Sequence, residues 1–212
     1  MKIIKAGYEI LTPITGEELK LIEIAGRTCY KSNDKITEES AKKFVAGIIK
    51  MGHEAMLEHS FLSIKFIVDR GVSHELVRHR LTSFAQESTR YCNYSKDKFG
   101  NEITFIEPYF FVNDLNKYGA WYGAMLAAEN AYLELIGNGA TPQEARSVLP
   151  NSTKTEIIMS MNYRGWRHFF KLRAARETGP AHPQMEEVTR PLLEELKKLI
   201  PVVFDDIVIP NE

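Results

Sequence analysis

Residues 78–91 contain a high density of side chains that can bind an anion. The span holds three arginines, a histidine, a glutamine and two serines with few apolar residues between them: Arg78, His79, Arg80, Ser83, Gln86, Ser88 and Arg90. Guanidinium groups stay charged at any accessible pH, and their forked donors match phosphate and carboxylate oxygens. This span, called the signature segment below, therefore predicts an anion-binding site. A solvated basic surface would explain the same composition.

The residues before the signature segment predict the elements that position it. Residues 60–69 alternate between apolar and polar types, which is typical of a half-buried strand. Residues 71–77 fit a short helix with Ser73 as its N-cap and with Leu76 and Val77 facing inward. The next three residues would then leave the end of this helix in different directions, so neighbouring arginines can face different ligands.

The rest of the chain predicts several helices and a few strands. Helices are expected to begin near residues 15, 37, 113, 141, 164 and 182. Strands are expected at 2–11, 103–106 and 153–161. The hydrophobic run at 202–209 is expected to close a sheet edge, and Cys29 is expected in a core or in the wall of a site.

The composition is that of an ordinary globular chain with balanced charge. Its 212 residues suit one elaborated domain, and 27 basic against 28 acidic side chains give a net charge of −1. This balance argues against a dedicated nucleic-acid binder, which usually carries a basic excess. Two cysteines give neither a disulfide framework nor a metal-ligand spacing, which fits a reducing, cytoplasmic setting. Since there is neither a signal-peptide pattern nor a membrane-spanning apolar run, we expect a soluble protein.

Four separate sequence blocks resemble the flavin-dependent thymidylate synthases. The first is the family signature RHR-x7-S, at residues 78–88, followed by Arg90 and Tyr91. The others are G-H-E-x-x-x-E-H at 52–59, A-R-x-x-L-P at 145–150 and N-x-R-x-x-x-H-F-x-x-L-R at 162–173. Because the blocks occur in the family's order over most of the chain, the protein is identified as a member of this family.

The resemblance implies a reaction and an architecture. The reaction is the reductive methylation of dUMP to dTMP, with methylenetetrahydrofolate as carbon donor, FAD as hydride carrier and NADPH as reductant. The implied fold is α+β, with helices around a mainly antiparallel sheet in one domain over residues 1–212. The implied assembly is a homotetramer whose sites lie between subunits. No nucleic acid or membrane is expected as a partner.

The resemblance also implies roles for individual residues. The residues expected to bind dUMP are Glu75, Arg78, Gln86, Ser88, Arg90, Arg146 and Arg173. Those expected to bind FAD are His53, Arg78, His79, Arg80, Asn162, Arg164 and His168. Arg173 is also expected to be catalytic, because a cation against the uracil favours ionisation at N3 and so raises the electron density at C5.

Other interpretations of the same residues stay open at this stage. A phosphate- or nucleic-acid-binding domain would also use an arginine cluster, and it predicts strongly salt-dependent binding. Ser88 is expected to be a ligand and not a nucleophile, because no histidine base is demonstrably within hydrogen-bond reach. The histidines and acids of 53–59 lack a known metal-binding spacing, so no metal is predicted.

Three positions depart from the commoner family pattern. Glu75 stands where many members have glutamine, Gln86 where many have glutamate, and His168 where some have asparagine. A carboxylate near a phosphate needs a cation between them, so a contact of Glu75 with dUMP would depend on a neighbouring arginine.

Overall fold

The computed structural model describes residues 1–210, which contain both helices and strands. The strands are β1 (Lys2–Ile4), β2 (Gly7–Ile10), β3 (Phe61–Asp69), β4 (Ser83–Gln86), β5 (Thr104–Ile106) and β6 (Lys154–Asn162). The α-helices are α1 (Glu17–Cys29), α2 (Ser40–Lys50), α3 (Arg70–Leu76), α4 (Leu115–Gly137), α5 (Pro142–Ala145), α6 (Tyr163–Arg173) and α7 (Pro183–Leu199). Among the short 3-10 helices are Glu54–His59 and Arg146–Val148.

The strands form a four-stranded and a two-stranded sheet. The larger sheet has the order β2-β3-β6-β4, and β1 pairs with β5 in parallel. Strands β3 and β6 run antiparallel, because the Ser60 carbonyl accepts from the Tyr163 amide while the Ser63 and Ser160 hydroxyls meet at 2.7 Å. The α+β class and antiparallel pairing are thereby confirmed. As predicted, alternate residues of β3 and β6 are buried.

One compact unit comprises Met1–Gly7, Phe66–Arg78 and Phe84–Ile158. Its core forms around α4, which packs against α5 and against the 3-10 helix Arg146–Val148. The buried members are Tyr94, Ile103, Phe105, Trp121, Met125, Tyr132 and Ala145. The buried carboxylate of Glu129, also on α4, accepts from the Ile103 amide at 2.8 Å, so this apolar core contains a satisfied acid.

The second unit comprises Tyr8–Lys65, His79–Ser83 and the chain from Met159 onward. Helix α6 packs against α7 and against the 3-10 helix Glu54–His59. Four buried aromatic residues of α6 and Phe204 form edge-to-face, tilted and stacked contacts with each other: Tyr163, Trp166, Phe169, Phe170 and Phe204. One face of α6 is therefore fixed by packing, which sets the direction of its polar side chains.

The starts of two predicted helices and the extent of one predicted strand differ in the structure. The carboxylate of Asp69 accepts from the Val72 amide at 2.7 Å, so Asp69 and not Ser73 caps α3, which begins at Arg70. Ser73 is buried inside that helix, whereas Val77, predicted to face inward, is exposed. The strand expected over 2–11 is divided into β1 and β2, and the helix expected from residue 37 begins at Ser40.

Three further expectations were wrong or incomplete. Cys29 is exposed on α1, and not in a core. The segment 201–206 forms turns in place of the strand expected within 202–209. Strand β4, in the middle of the signature segment, was not predicted, because its four residues are too few to show a periodicity.

No helix within the described part of the chain combines the length and apolar character needed to cross a membrane. The assignment of residues 1–212 to one domain stays a prediction, and its last two residues lie outside the described range.

Candidate active site

The unit that contains β5 and α4 holds six of the residues predicted to bind dUMP: Glu75, Arg78, Gln86, Ser88, Arg90 and Arg146. Arg146 Nη1 donates to Thr89 Oγ1 at 3.3 Å. The Arg90 amide donates to Ser88 Oγ at the same distance, and the Arg90 guanidinium lies over the Tyr91 ring. Both arginines are exposed. Two cationic side chains from different elements are therefore available around one short stretch of the signature segment.

Gln86, on β4, is oriented by two hydroxyl groups. Its Nε2 donates to Ser73 Oγ at 2.9 Å and to Thr155 Oγ1 at 3.2 Å. Ser73 gives its own proton to the Arg70 carbonyl at 2.9 Å, so it can only accept from Gln86. These hydrogen bonds fix the orientation of the side-chain amide of Gln86. Its nitrogen faces Ser73 and Thr155, and its carbonyl oxygen points away from them.

Glu87 anchors the backbone between Gln86 and Ser88. Its carboxylate accepts from Tyr94 Oη at 3.0 Å and from Lys154 Nζ at 3.0 Å. Burial and the nearby Glu87 raise the pKa of Tyr94, so the phenol keeps the proton that it donates. Sequence analysis missed these partners because nothing in the spacing connects 87 with 94 or 154.

The second unit holds seven residues from the predicted set: His53, His79, Arg80, Asn162, Arg164, His168 and Arg173. Two of them, Arg173 and His168, lie around the imidazole of a third, His79. Arg173 Nε donates to His79 Nε2 at 3.1 Å, and the rings of His79 and His168 lie 6.4 Å apart between centroids. The His79 ring also meets the edge of Phe169 at 4.9 Å. Helix α6 carries all three partners of this imidazole.

His79 is buried and neutral. A guanidinium can only donate, so Nε2 must be the acceptor nitrogen of the imidazole and Nδ1 carries the proton. Burial first, then the charges of Arg173 and His168, lower the pKa of His79 to about 4. Its neighbours Arg78 and Arg80 are exposed. Within the RHR motif the histidine is thus buried, whereas both arginines are exposed. That the two arginines face different ligands stays a prediction.

The remaining members of this group lie at the start of α6 and near it. Asn162 is the N-cap of α6, where its Oδ1 accepts from the Gly165 amide at 2.8 Å. Arg164 is exposed, and its Nη1 pairs with Glu58 Oε1 at 2.6 Å. Since Glu58 belongs to the 3-10 helix that follows His53, this ion pair links that helix to α6. His53 itself is exposed.

Leu81, between Arg80 and Thr82, combines two unfavourable features. It has a positive φ of 62°, which costs a non-glycine residue about 1–2 kcal/mol, and its side chain is fully exposed. Strain of this kind persists where the surrounding structure imposes it, and it concentrates at functional sites.

Within residues 1–210, no group of three or more His, Cys, Asp or Glu side chains could hold a metal ion.

Lowering the pH from 6.5 towards 4 is expected to lower the free energy of unfolding through His79. The unfolded chain binds a proton on this histidine below about pH 6.5, whereas the folded pKa is about 4, so protons favour unfolding in this window. The full contribution is about 3 kcal/mol, present above pH 6.5 and lost progressively on acidification. Urea unfolding at a series of pH values measures it.

His79→Gln removes the titration and keeps an acceptor for Arg173, so its unfolding free energy is expected to vary less steeply with pH. His74→Gln, on an exposed position of α3, is the matched control. Equal slopes for His79→Gln and the wild type would contradict the prediction.

Comparison with known proteins identifies the family. The model of the thymidylate synthase complementing protein family matches residues 11–202. A flavin-dependent thymidylate synthase from Corynebacterium aurimucosum is 34% identical over 208 residues, covering 90% of this chain and 80% of the relative. One from Pyrococcus furiosus is 34% identical over 179 residues, covering 84% and 71%. The chain belongs to the flavin-dependent thymidylate synthase family, which confirms the identification from the signature.

A solved structure shows the same fold. The UMP/dUMP methylase PolB from Streptomyces cacaoi, bound with 5-Br dUMP, superposes with a TM-score of 0.80 at 22% identity. The alignment covers 99% of this chain and 100% of that chain.

Proposed function

We propose that this protein is an FAD-dependent thymidylate synthase that converts dUMP to dTMP by reductive methylation. The observation that carries the proposal is the complete family signature at residues 78–88, directly after which Thr89 accepts a hydrogen bond from Arg146. The names of the relatives describe the same enzyme, and the similar solved structure holds a dUMP analogue.

Arginines from different elements support the binding of a nucleotide monophosphate. Such a ligand is doubly charged near neutral pH, and guanidinium–phosphate pairs are strong, often bidentate contacts. Arg90 and Arg146 bind the phosphate, with Ser88 beside them as a hydroxyl ligand. Gln86 and Glu75 complete the dUMP group together with Arg78. Ser88 acts as a ligand, and no protein nucleophile takes part.

The second group of residues fits FAD by the chemistry of its donors. Arg80, Arg164, His53 and His168 are all exposed, and together they offer cations and N–H donors suited to a diphosphate and to the polar edge of a ring system. Asn162, at the N-cap of α6, adds an amide. When bound, FAD supplies the hydride-transfer chemistry, and the protein supplies binding, orientation and charge.

Arg173 is the catalytic cation in this proposal. A fixed positive charge against uracil stabilises negative charge that develops at N3 and thus raises the electron density at C5. His79 acts through Arg173, because its neutral Nε2 accepts from the guanidinium and holds it in one direction. Methylenetetrahydrofolate provides the carbon and NADPH the reducing equivalents.

The assembly and location are also part of the proposal. A homotetramer with sites between subunits would cover the apolar side chains that the signature segment exposes, of which Leu81 and Tyr91 are the largest examples. The protein works in the cytoplasm.

The visible absorption spectrum of the purified protein tests the proposal. We expect a flavin spectrum that shifts when dUMP is added and bleaches when NADPH follows under anaerobic conditions. A colourless protein that takes up no added FAD would remove the enzyme hypothesis. The arginine cluster would then be an anion site, and salt-dependent binding of a nucleic acid would be the next measurement.

A further inference from the structure

Arg167 is a fully charged side chain inside the unit that contains α6. Although an arginine is usually found at the surface, the exposed fraction of Arg167 is 1%. It is held by two carboxylates and a backbone carbonyl. Nε donates to Glu54 Oε1 at 3.0 Å, Nη1 and Nη2 donate to the two oxygens of Asp206 at 2.6 and 2.7 Å, and Nη1 also reaches the Val203 carbonyl.

These partners belong to three different stretches of chain. Glu54 directly follows His53 and begins the 3-10 helix Glu54–His59. Val203 and Asp206 lie in the turns at 201–206, called the C-terminal turn below. Arg167 itself is on α6, which carries Arg164, His168 and Arg173. One guanidinium therefore ties residues 53–59, called the His53 segment below, and the C-terminal turn to the helix that carries two of the proposed flavin-binding residues, Arg164 and His168.

The hydrogen bonds of Arg167 to Glu54 and Asp206 require the planar shape of a guanidinium. A planar fork can pair with both oxygens of one carboxylate while its Nε serves another, whereas a lysine ammonium is a point charge without this directionality. Hydrogen bonds from Arg167 lower the pKa of Asp206, so Asp206 is ionised at neutral pH. Removing one partner of a buried charge leaves that charge uncompensated, so the neighbouring segments must rearrange.

We propose that Arg167 is a positioning residue of the flavin site and that the C-terminal turn, through Asp206, sets the affinity for FAD. The inference rests on the proposed function, because it assumes that His53, Arg164 and His168 contact FAD. Neither Arg167 nor Asp206 belongs to the predicted ligand set. Asp206 is half exposed, with a side-chain accessibility of 49%, so it can be changed without opening the core.

FAD titration of the full-length apoprotein, followed by flavin fluorescence, tests this role. Asp206→Ala and Arg167→Lys are expected to weaken FAD binding about tenfold, because a smaller fraction of the protein holds the His53 segment in its binding conformation. Asp206→Asn keeps one acceptor oxygen, so its effect should be smaller. Glu194→Ala, an exposed position on α7 whose side chain pairs with Lys197, is the matched control and should bind FAD as the wild type does.

Two further readouts separate positioning from general destabilisation. Saturating FAD should restore the kcat of Asp206→Ala, and dUMP affinity measured by calorimetry should stay at the wild-type value. A folded Asp206→Ala that binds FAD as tightly as the wild type would overturn the inference, even if its thermal midpoint falls. If Arg167→Lys fails to fold, the Asp206 variants decide alone. A wild-type protein that binds no FAD would overturn the proposed function and, with it, this inference.

Discussion

Replacing Arg173 with alanine is expected to lower the kcat of dTMP formation by about a hundredfold to a thousandfold, the range found when a preorganised stabiliser of transition-state charge is removed. The effect should appear in kcat more than in the KM for dUMP, because the charge on the uracil ring develops during the reaction. Steady-state kinetics with saturating FAD, measured as dTMP released, give the two constants separately.

Arg173→Ala has a second expected signature at His79. The guanidinium both donates to this imidazole and lowers its pKa, so its removal should raise the pKa of His79 from about 4 towards 6.5, as followed by NMR. Lys171→Ala, two residues earlier on the same helix, is the control and should change neither quantity. Wild-type kcat in the Arg173 variant would contradict the assigned role.

Replacing Arg146 with alanine is expected to raise the KM for dUMP about tenfold to a hundredfold, since a hydrogen bond to a charged group contributes about 1.5–3 kcal/mol. Arg146 is exposed, and only its Nη1 donates to Thr89. The other guanidinium nitrogens can therefore donate to a phosphate. The kcat should change less than the KM, because the phosphate does not react. Competition with inorganic phosphate should weaken in the same variant.

The control for Arg146 is Lys117→Ala, which removes an exposed cation on α4 that pairs with Asp114. It lowers the net charge equally, so it corrects for a general loss of attraction between protein and nucleotide. Equal KM values for the Arg146 variant and this control would show that Arg146 does not bind the phosphate.

Sequence patterns predicted the elements with a strong local signal. Helices were predicted to begin near residues 113, 141 and 182, and the N-caps of α4, α5 and α7 are Asp114, Thr141 and His182. Alternation predicted β3 and β6. The family and the identity of its signature segment also followed from the sequence, because four blocks with fixed spacing rarely coincide.

The burial and pairing of several side chains depend on contacts between segments that are distant in the sequence, so local patterns could not predict them. Arg167 can be buried because its partners Glu54 and Asp206 compensate its charge, and both partners come from distant segments of the chain. Leu115 is an apolar residue at the start of α4, yet it is 88% exposed, because the buried stripe of this helix begins only at Trp121. The pairing of Arg173 with His79 likewise depends on tertiary structure and on no spacing.

The fixed amide of Gln86 determines whether a ligand group beside it must donate or accept a hydrogen bond. Both amide protons are used by the hydroxyls of Ser73 and Thr155, so the side chain behaves towards a ligand as an acceptor, as a glutamate would. A ligand group that can donate, such as a hydroxyl or a ring N–H, forms a hydrogen bond with the carbonyl oxygen of Gln86. A ring nitrogen without a proton is repelled, because its lone pair faces the lone pairs of that oxygen.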